Sequence, residues 1–584
     1  MQLDPNQKIA GVLVPLFSIR GSFDLGIGDT NALAEAILWA QENGFHALQL
    51  LPINESGASN SPYSIISAMA LEPSTITTHP SWIPELQPEN YNAIVASYDL
   101  TALRNGPVNY PLVRKLKREL LTAAWKNFRT GSPAIADRAR DYEHFQEEHS
   151  SWLSDYTLYR ALLEHHGENS DLSSWDPALH QASTARQWFK KLSEKDQKNF
   201  EERCDFFAYV QWIASRQWQK IFSLADQHNV ALIGDVPAGV SLGSADVFSY
   251  PELFDVTTFG GAPPEKVFHA DPFTMQWGQN WGIPLYRWEK MKQDHFSWWH
   301  RRLRHLRSLF HFLRIDHALG LFRIYSFPWK PEHDAQFINL SAEEVKKITG
   351  GRLPCFIDHD DDTPEHRAYN QQRGEMLLQL FLEEVGKNHL IAEDLGETPS
   401  YIPESLTKFQ IPGFKIPFWT RDQQGRMLSP QAYPRISLAT YATHDHEPLR
   451  KQWETWQQEA QQKGPSSGAW KILKEMLTFI GCDQEDPMAS YLEKIHKPLL
   501  KGLYTTNSWI AIVMITDLFG SVQQFNIPGS PSEQNWCERI ALPISEWSNN
   551  YQEILAASFE GLKECERVVS DKMTLTEKQI SLQS

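Results

Sequence analysis

The sequence predicts an α/β protein: a (β/α)8 TIM barrel with large, mostly helical insertions between strands 2-3, 3-4, 4-5 and 7-8. Three observations predict it. Eight short apolar runs punctuate the chain, helical patterns separate several of them, and several runs end on an acid. Strands alternating with helices make βαβ units, and eight of them suggest a closed barrel. In such barrels the C-terminal ends of the strands face the active site.

In chain order the runs are GVLVPLFS (11–18), HALQLLPI (46–53), VALIGDVP (230–237), FLRIDHAL (312–319), HLIAEDLG (389–396), GFKIPFW (413–419), ISLATYATHD (436–445) and WIAIVMITDLFG (509–520). Most are rich in Val, Ile and Leu without strict alternation, as expected for parallel strands buried on both faces. Asp235, Asp316, Glu393, Asp445 and Asp517 stand at their ends and are expected to face the site. Between runs, TNALAEAILWAQENG (30–44) has apolar residues at helical spacing, starts after Asp29 and stops at Gly44. EEVGKNH precedes the fifth run in the same way.

The spacing of the runs predicts the insertions. Residues 54–228 read as a helical subdomain, with VRKLKRELLTAAWKNF (113–128) as one of its helices. The span 241–300 is rich in Gly, Pro and aromatics and reads as an ordered loop region covering substrate. A third insertion, 328–365, holds the acidic DHDDDTPEH, read as a solvated acidic loop, and a fourth, 447–507, reads as helical. Barrels with insertions run past roughly 400 residues as one unit. Residues 1–570 are therefore expected to be one catalytic domain, with 571–584 as a loose tail.

Composition excludes several classes of function. The net charge of −17 argues against nucleic acid and against an anionic membrane surface, which both need clustered Lys and Arg. Otherwise that charge only keeps a large protein soluble. The five cysteines, Cys204, Cys355, Cys482, Cys537 and Cys565, include no CxxC pair, so neither a metal ribbon nor a disulfide framework is expected. The N-terminal MQLDPNQKIAG lacks a signal-peptide layout, and no apolar run reaches the roughly 18 residues of a membrane helix. A cytoplasmic protein without a cofactor is the expectation. The 21 tryptophans suit the apolar faces of sugar rings and equally suit an ordinary core.

The acids divide by environment. Retaining glycosidases need two carboxylates about 5–5.5 Å apart, one ionised and one holding a proton. Asp316 stands two residues after Arg314, so both side chains leave a strand on the same side. Arg314 beside it would hold Asp316 as an anion, which suits a nucleophile; a purely structural ion pair has the same spacing. Glu393 emerges from an apolar strand, where burial raises a carboxyl pKa and suits a general acid/base. It or Asp394 could equally cap the next segment, and Asp394 points the opposite way. Asp445 follows His444 in YATHDHEP, where a turn Asp is the plain alternative. The run His444, Asp445, His446, Glu447 fits no standard zinc spacing, so no metal is expected.

Taken together, the motifs resemble the amylomaltase (disproportionating enzyme) family of 4-α-glucanotransferases, within the wider α-amylase clan. They are GVLVPLFSIRG, LGIGD (25–29), LQLLPI (48–53), NSPYSIISAMALEP (60–73), LIGDVPAGVSLGSADVFSYPELF (232–254), GAPP (261–264), WGIPLYRW (281–288), RIDHALG (314–320), AEDLG (392–396), ATHD (442–445) and FNIPG (525–529). The resemblance implies Asp316 as nucleophile, Glu393 as acid/base and Asp445 as the acid that steadies the transition state. It further implies Arg314 and His444 as partners of the two aspartates, Asp235 as an acid at the rim of the −1 sugar site, and Tyr63 and Trp281 as glucan contacts. The substrates implied are maltooligosaccharides or glycogen-like glucans, passed between chains by a retaining double displacement. Transfer needs water kept out while the acceptor is held, and the 255–290 segment is the candidate lid. The chain departs from the family's usual pattern at Ala318-Leu319 and at Glu447-Pro448. NWGIPLYRW and RIDHALGLFRI look nearer the branch of the plant cytosolic disproportionating enzyme, which prefers maltose with a large glycan acceptor. The competing readings are an α-amylase-like hydrolase with the same acids, a catalytically weak glucan-binding barrel, and a metal-dependent barrel hydrolase.

Overall fold

The computed structural model describes residues 3–131, 136–264, 271–396, 398–528 and 535–568. The tail expected at 571–584 lies outside these. In chain order the strands are β1 (Ile9–Leu13), β2 (Ala47–Gln49), β3 (Ala231–Val236), β4 (Phe254–Ala262), β5 (Gln279–Tyr286), β6 (Phe312–Ile315), β7 (Ile324–Phe327), β8 (Cys355–Ile357), β9 (Leu390–Ala392), β10 (Gly413–Lys415), β11 (Ser437–Ala439) and β12 (Ile510–Met514). Eight of them close into a parallel barrel in the order β1-β12-β11-β10-β9-β6-β3-β2. Each barrel strand overlaps one of the eight apolar runs, in the same chain order. The runs lack alternation because both faces are covered: all five residues of β1 and of β12 are buried.

The barrel interior is filled by alternate residues. Ala231 and Ile233 of β3, Phe312 of β6, Ile391 of β9, Phe414 of β10 and Ile510, Ile512 and Met514 of β12 form one cluster. Side chains two apart leave a strand on the same side. The next members of three of these series are therefore Asp235, then Arg314 and Asp316, then Glu393. The packing that fills the barrel also sets the direction of its charged groups.

Helices clad the barrel. Thr30–Glu42 joins β1 to β2, and the Asp29 carboxylate caps it by accepting from the amides of Asn31 and Ala32. The 34-residue helix Glu194–Gln227 packs on that helix and leads into β3. The end of the expected 54–228 insertion is thus barrel wall; before it lie helices such as Tyr110–Phe128 and Ser150–His165. The 447–507 span is helical, with Leu449–Lys463, Gly468–Phe479 and His496–Thr505. Beyond β12, the buried Arg567 donates to the carbonyls of Ile9, Trp509, Thr506, Ser508 and Tyr504 at 2.7–3.2 Å. It pins the β1–β12 seam from one end.

Three expectations are corrected. The 241–300 span is not loop throughout: β4 and β5 pair antiparallel, and with β7 and β8 they build a second sheet in the order β5-β4-β7-β8. Its glycines serve close approach of strands: a Cβ on Gly261 would fall 1.9 Å from the Gln279 carbonyl oxygen. A small core of Phe273, Trp277, Phe327, Trp329, Phe337 and Val345 joins this span to the 328–365 insertion. Part of the expected lid, 265–270, lies outside the described residues. The acidic stretch is solvated at Asp360, Asp362 and Glu365 but not along its whole length: Asp358 pairs with Arg373 at 2.6 Å and Asp361 with Arg323 at 3.2 Å. Asp517 does not line the cleft at the barrel mouth. A short helix, Ile515–Leu518, starts directly after β12 and takes Asp517 with it, and its Oδ1 accepts from the Leu449 amide at 2.7 Å.

Candidate active site

The C-terminal ends of the barrel strands open into a cleft of about 2420 Å³, with the second sheet along part of its wall. Asp316, Glu393, Asp445, Tyr63, Trp281 and Arg314 all line it. The residues singled out in the sequence are therefore brought together, although 382 positions separate Tyr63 from Asp445.

Arg314 is the hub. Parallel pairing of β3 with β6 sets Asp235 directly beside Arg314. The Arg314 Nη1 donates to both Asp235 oxygens at 2.7 Å and to Asp316 Oδ1 at 2.9 Å. Its Nη2 lies 3.9 Å from Glu393 Oε2. The Tyr63 hydroxyl donates to Asp235 Oδ2 at 2.6 Å, completing the coordination of the buried acid. Asp235 is therefore not at the rim of the sugar site as expected: its side chain is fully covered and lies beneath the site, bonded to Arg314 and Tyr63, while the Asp316 side chain is 22% exposed to the cleft.

Glu393 follows β9. Its Oε2 accepts from the His317 amide at 3.0 Å and its Oε1 from the Leu395 amide at 2.7 Å. Burial pushes the Glu393 carboxyl up to about 7, and the Asp316 charge adds to this, while Arg314 acts the other way. The carboxyl therefore holds its proton to near neutrality. Asp394 points away, as expected from alternation, and its Oδ1 accepts from the Phe414 amide at 2.7 Å, tying β9 to β10.

Asp445 lies beyond β11, its side chain 41% exposed. Partial desolvation on the cleft floor opposes its ionisation. The His444 imidazole, 3.1 Å away through Nε2, and the Asn526 amide, donating at 2.7 Å, outweigh that and hold the carboxyl well below the usual carboxylate range. Tyr63 stacks on His444 with ring centroids 5.2 Å apart, linking this acid to the Asp235 side of the site. His446 bonds to Thr443, through its amide at 3.0 Å and its hydroxyl at 2.7 Å. Trp281 of β5 meets His317 edge-on at 4.8 Å, which sets the wall sheet against the residue following Asp316.

Sequence reasoning missed three contributors. His317 adopts a left-handed backbone (φ 45°), uncommon for a non-glycine residue, and its amide reaches Glu393; side-chain pattern carries no signal for that. Asn526 lies within FNIPG, whose order was informative while its contact with Asp445 was not. Trp536 closes over His444 at 5.7 Å and over Tyr63 at 5.8 Å, from a segment without strand or helix periodicity.

Comparison with known proteins gives a consistent answer. Residues 14–544 match the family model described as 4-alpha-glucanotransferase. A 4-alpha-glucanotransferase of Chlamydia caviae is 29% identical over 550 residues, covering 92% of this chain and 91% of that protein. One of Oryza sativa subsp. japonica is 33% identical over 324 residues, covering 55% of this chain and 32% of that protein. Among solved structures, the amylomaltase of Streptococcus agalactiae in complex with acarbose has a TM-score of 0.73 at 22% identity, covering 96% of this chain and all of that one, and so is similar in fold.

Proposed function

The chain belongs to the 4-α-glucanotransferase family and transfers glucan segments between chains; on that premise we propose that Asp316, Glu393 and Asp445 carry the transfer as a retaining double displacement. The observation that carries this reading is the contrast of environments around one guanidinium. A carboxyl that holds its proton to about 7 and a carboxylate bonded to Arg314 share the floor of one cleft. Such a division of labour is what retaining chemistry requires.

In the first step a carboxylate oxygen of Asp316 attacks the anomeric carbon of the donor. The glycosidic bond breaks, and its oxygen takes the Glu393 proton. A glycosyl ester on Asp316 remains, of inverted configuration. In the second step the 4-hydroxyl of an acceptor glucan attacks the same carbon and gives its proton to Glu393. The ester bond breaks and returns Asp316 as a carboxylate. Asp445, held anionic, bonds ring hydroxyls and supports the positive charge that develops on the sugar. Asp235 and Tyr63 keep Arg314 in place. The walls formed around β4 and β5, within 255–290, keep water from the ester while the acceptor binds.

The substrates are maltooligosaccharides or glycogen-like glucans, and maltose with a large glycan acceptor and maltotriose or longer chains are the two donor and acceptor pairs to be compared. The setting is the cytoplasm, supported by the scattered cysteines; no helix among the described residues is long and apolar enough to cross a membrane. The test is to incubate the protein with maltotriose, and separately with maltose plus glycogen, and follow chain lengths and free glucose. A ladder of longer chains, or glucose release that needs glycogen, is expected. Shorter products alone would mean a hydrolase on the same barrel.

A further inference from the structure

The insertion that carries DHDDDTPEH takes no part in the carboxylate chemistry, yet it contributes β8 to the cleft wall. Phe356 of β8 lines the cleft, as does Arg323, which stands between the turn after Asp316 and β7. The Arg323 guanidinium lies 3.8 Å from the Phe356 ring centroid, and Tyr325 supports the same ring edge-on at 5.2 Å. Arg323 is held in turn by Asp361 at 3.2 Å. Asp361 also accepts from the Tyr401 hydroxyl at 3.0 Å and the Asn370 amide at 3.0 Å. The acidic stretch therefore fixes an arginine and an aromatic ring at the edge of the cleft.

We propose that Arg323 and Phe356 form a remote glucosyl-binding shelf, which grips glucans of several units and sets the preference for long over short chains. The proposal rests on the glucan-transfer reading and adds a specificity subsite to it.

Three features argue for a neutral sugar chain as the occupant. Phe356 offers apolar surface, which suits the C–H face of a pyranose ring, and the guanidinium offers donors for hydroxyl pairs. The charge of Arg323 is matched by Asp361, so the shelf carries no unpaired cation that would select an anionic ligand. Both side chains are already held by their neighbours, so little conformational freedom is lost on binding. Position argues for length. In the order β5-β4-β7-β8, Trp281 and Phe356 stand on opposite edges of the wall sheet. Three strand spacings amount to roughly 14 Å. A glucan that meets both Trp281 and Phe356 must therefore cross the width of the wall sheet, so a longer chain gains a contact at Phe356 that a short one held against Trp281 lacks.

The test compares Phe356→Ala and Arg323→Met with the parent chain on maltoheptaose and on maltotriose. KM for maltoheptaose is expected to rise about tenfold, clearly more than KM for maltotriose, with Phe356→Trp restoring most of the loss. Ile348→Ala, exposed on the same insertion but away from the cleft, moves neither value. Equal changes for the two substrates, or none, would overturn the shelf. Direct titration of maltoheptaose into Glu393→Gln and into Glu393→Gln with Phe356→Ala reads the shelf without turnover. About tenfold weaker binding is expected in the double variant, and unchanged affinity overturns the proposal. Absence of transfer by the parent chain would count against the transfer reading alone, because the titration still decides the shelf.

Discussion

The Nη1 of Arg314 donates at once to Asp235, at 2.7 Å to each oxygen, and to Asp316 at 2.9 Å. One buried cation therefore serves a fully covered acid and a cleft-facing one. Removing it leaves Asp235 without its counter-charge. Arg314→Ala is expected to lower stability by about 3–5 kcal/mol, the usual cost of breaking a buried pair on one side. Transfer is expected to fall by at least about a hundredfold, since Asp316 loses the donor that orients it. Denaturant unfolding and initial rates check both; wild-type rates would remove Arg314 from the account.

The pH profile follows from Glu393. As general acid it must carry its proton when the donor binds, and burial sets that carboxyl at about 7. As pH rises through about 7 the protonated fraction falls, so kcat/KM is expected to drop about tenfold per unit on the alkaline side. Asp445 stays ionised across this range. A profile flat from pH 6 to 9 would count against the assignment.

Asp517 has no place in the cleft, and it reports on stability instead. Burial pushes its carboxyl up to about 7, against which the bond from the Leu449 amide acts only partly. An unfolded Asp titrates near 4. The folded state thus binds the proton more tightly, and the associated stability is full below about pH 4 and lost as pH rises through about 7. Asp517→Asn is expected to reduce the fall in Tm between pH 5 and pH 8. A fall equal to the parent's would contradict it.

Arg567 closes the opposite end of the barrel by filling five backbone carbonyls. The Trp509 carbonyl keeps the Ile9 amide at 2.9 Å and the Thr506 carbonyl keeps Lys8 Nζ at 3.1 Å, while a buried acceptor left without any donor costs roughly 1–3 kcal/mol. Arg567→Ala is therefore expected to lower Tm by several degrees, with the KM for maltotriose unaltered below the transition. A Tm within a degree of the parent's would show that the seam holds without it.

The barrel was legible because strands buried on both faces leave uninterrupted Val, Ile and Leu runs, and each of the eight runs contains strand. Asp235, Arg314, Asp316 and Glu393 were legible for the same reason, since they continue the i, i+2 series of residues that fill the barrel. The second sheet was not. Gly261 stands where two backbones approach closely and Gly282 holds a φ of 69°, and together with Gly260 and Pro284 these residues imitate a loop. Asp517 was misread because a run that ends on an acid is the same in sequence whether the next residues leave the barrel as a loop or turn at once into a helix. The partners of DHDDDTPEH escaped notice because Arg323 lies 38 positions before Asp361, and nothing in the periodicity joins them.

The central claim, that Asp316 is the nucleophile and Glu393 the proton donor, is tested most directly by trapping the ester. A glycosyl fluoride needs little acid assistance, so Glu393→Gln should still be glycosylated by α-maltosyl fluoride yet lack the base that speeds deglycosylation. After quenching in acid, peptide mass spectrometry is expected to find one maltosyl group on the peptide containing Asp316. Release of fluoride without any adduct, or an adduct on another carboxylate, would contradict the account.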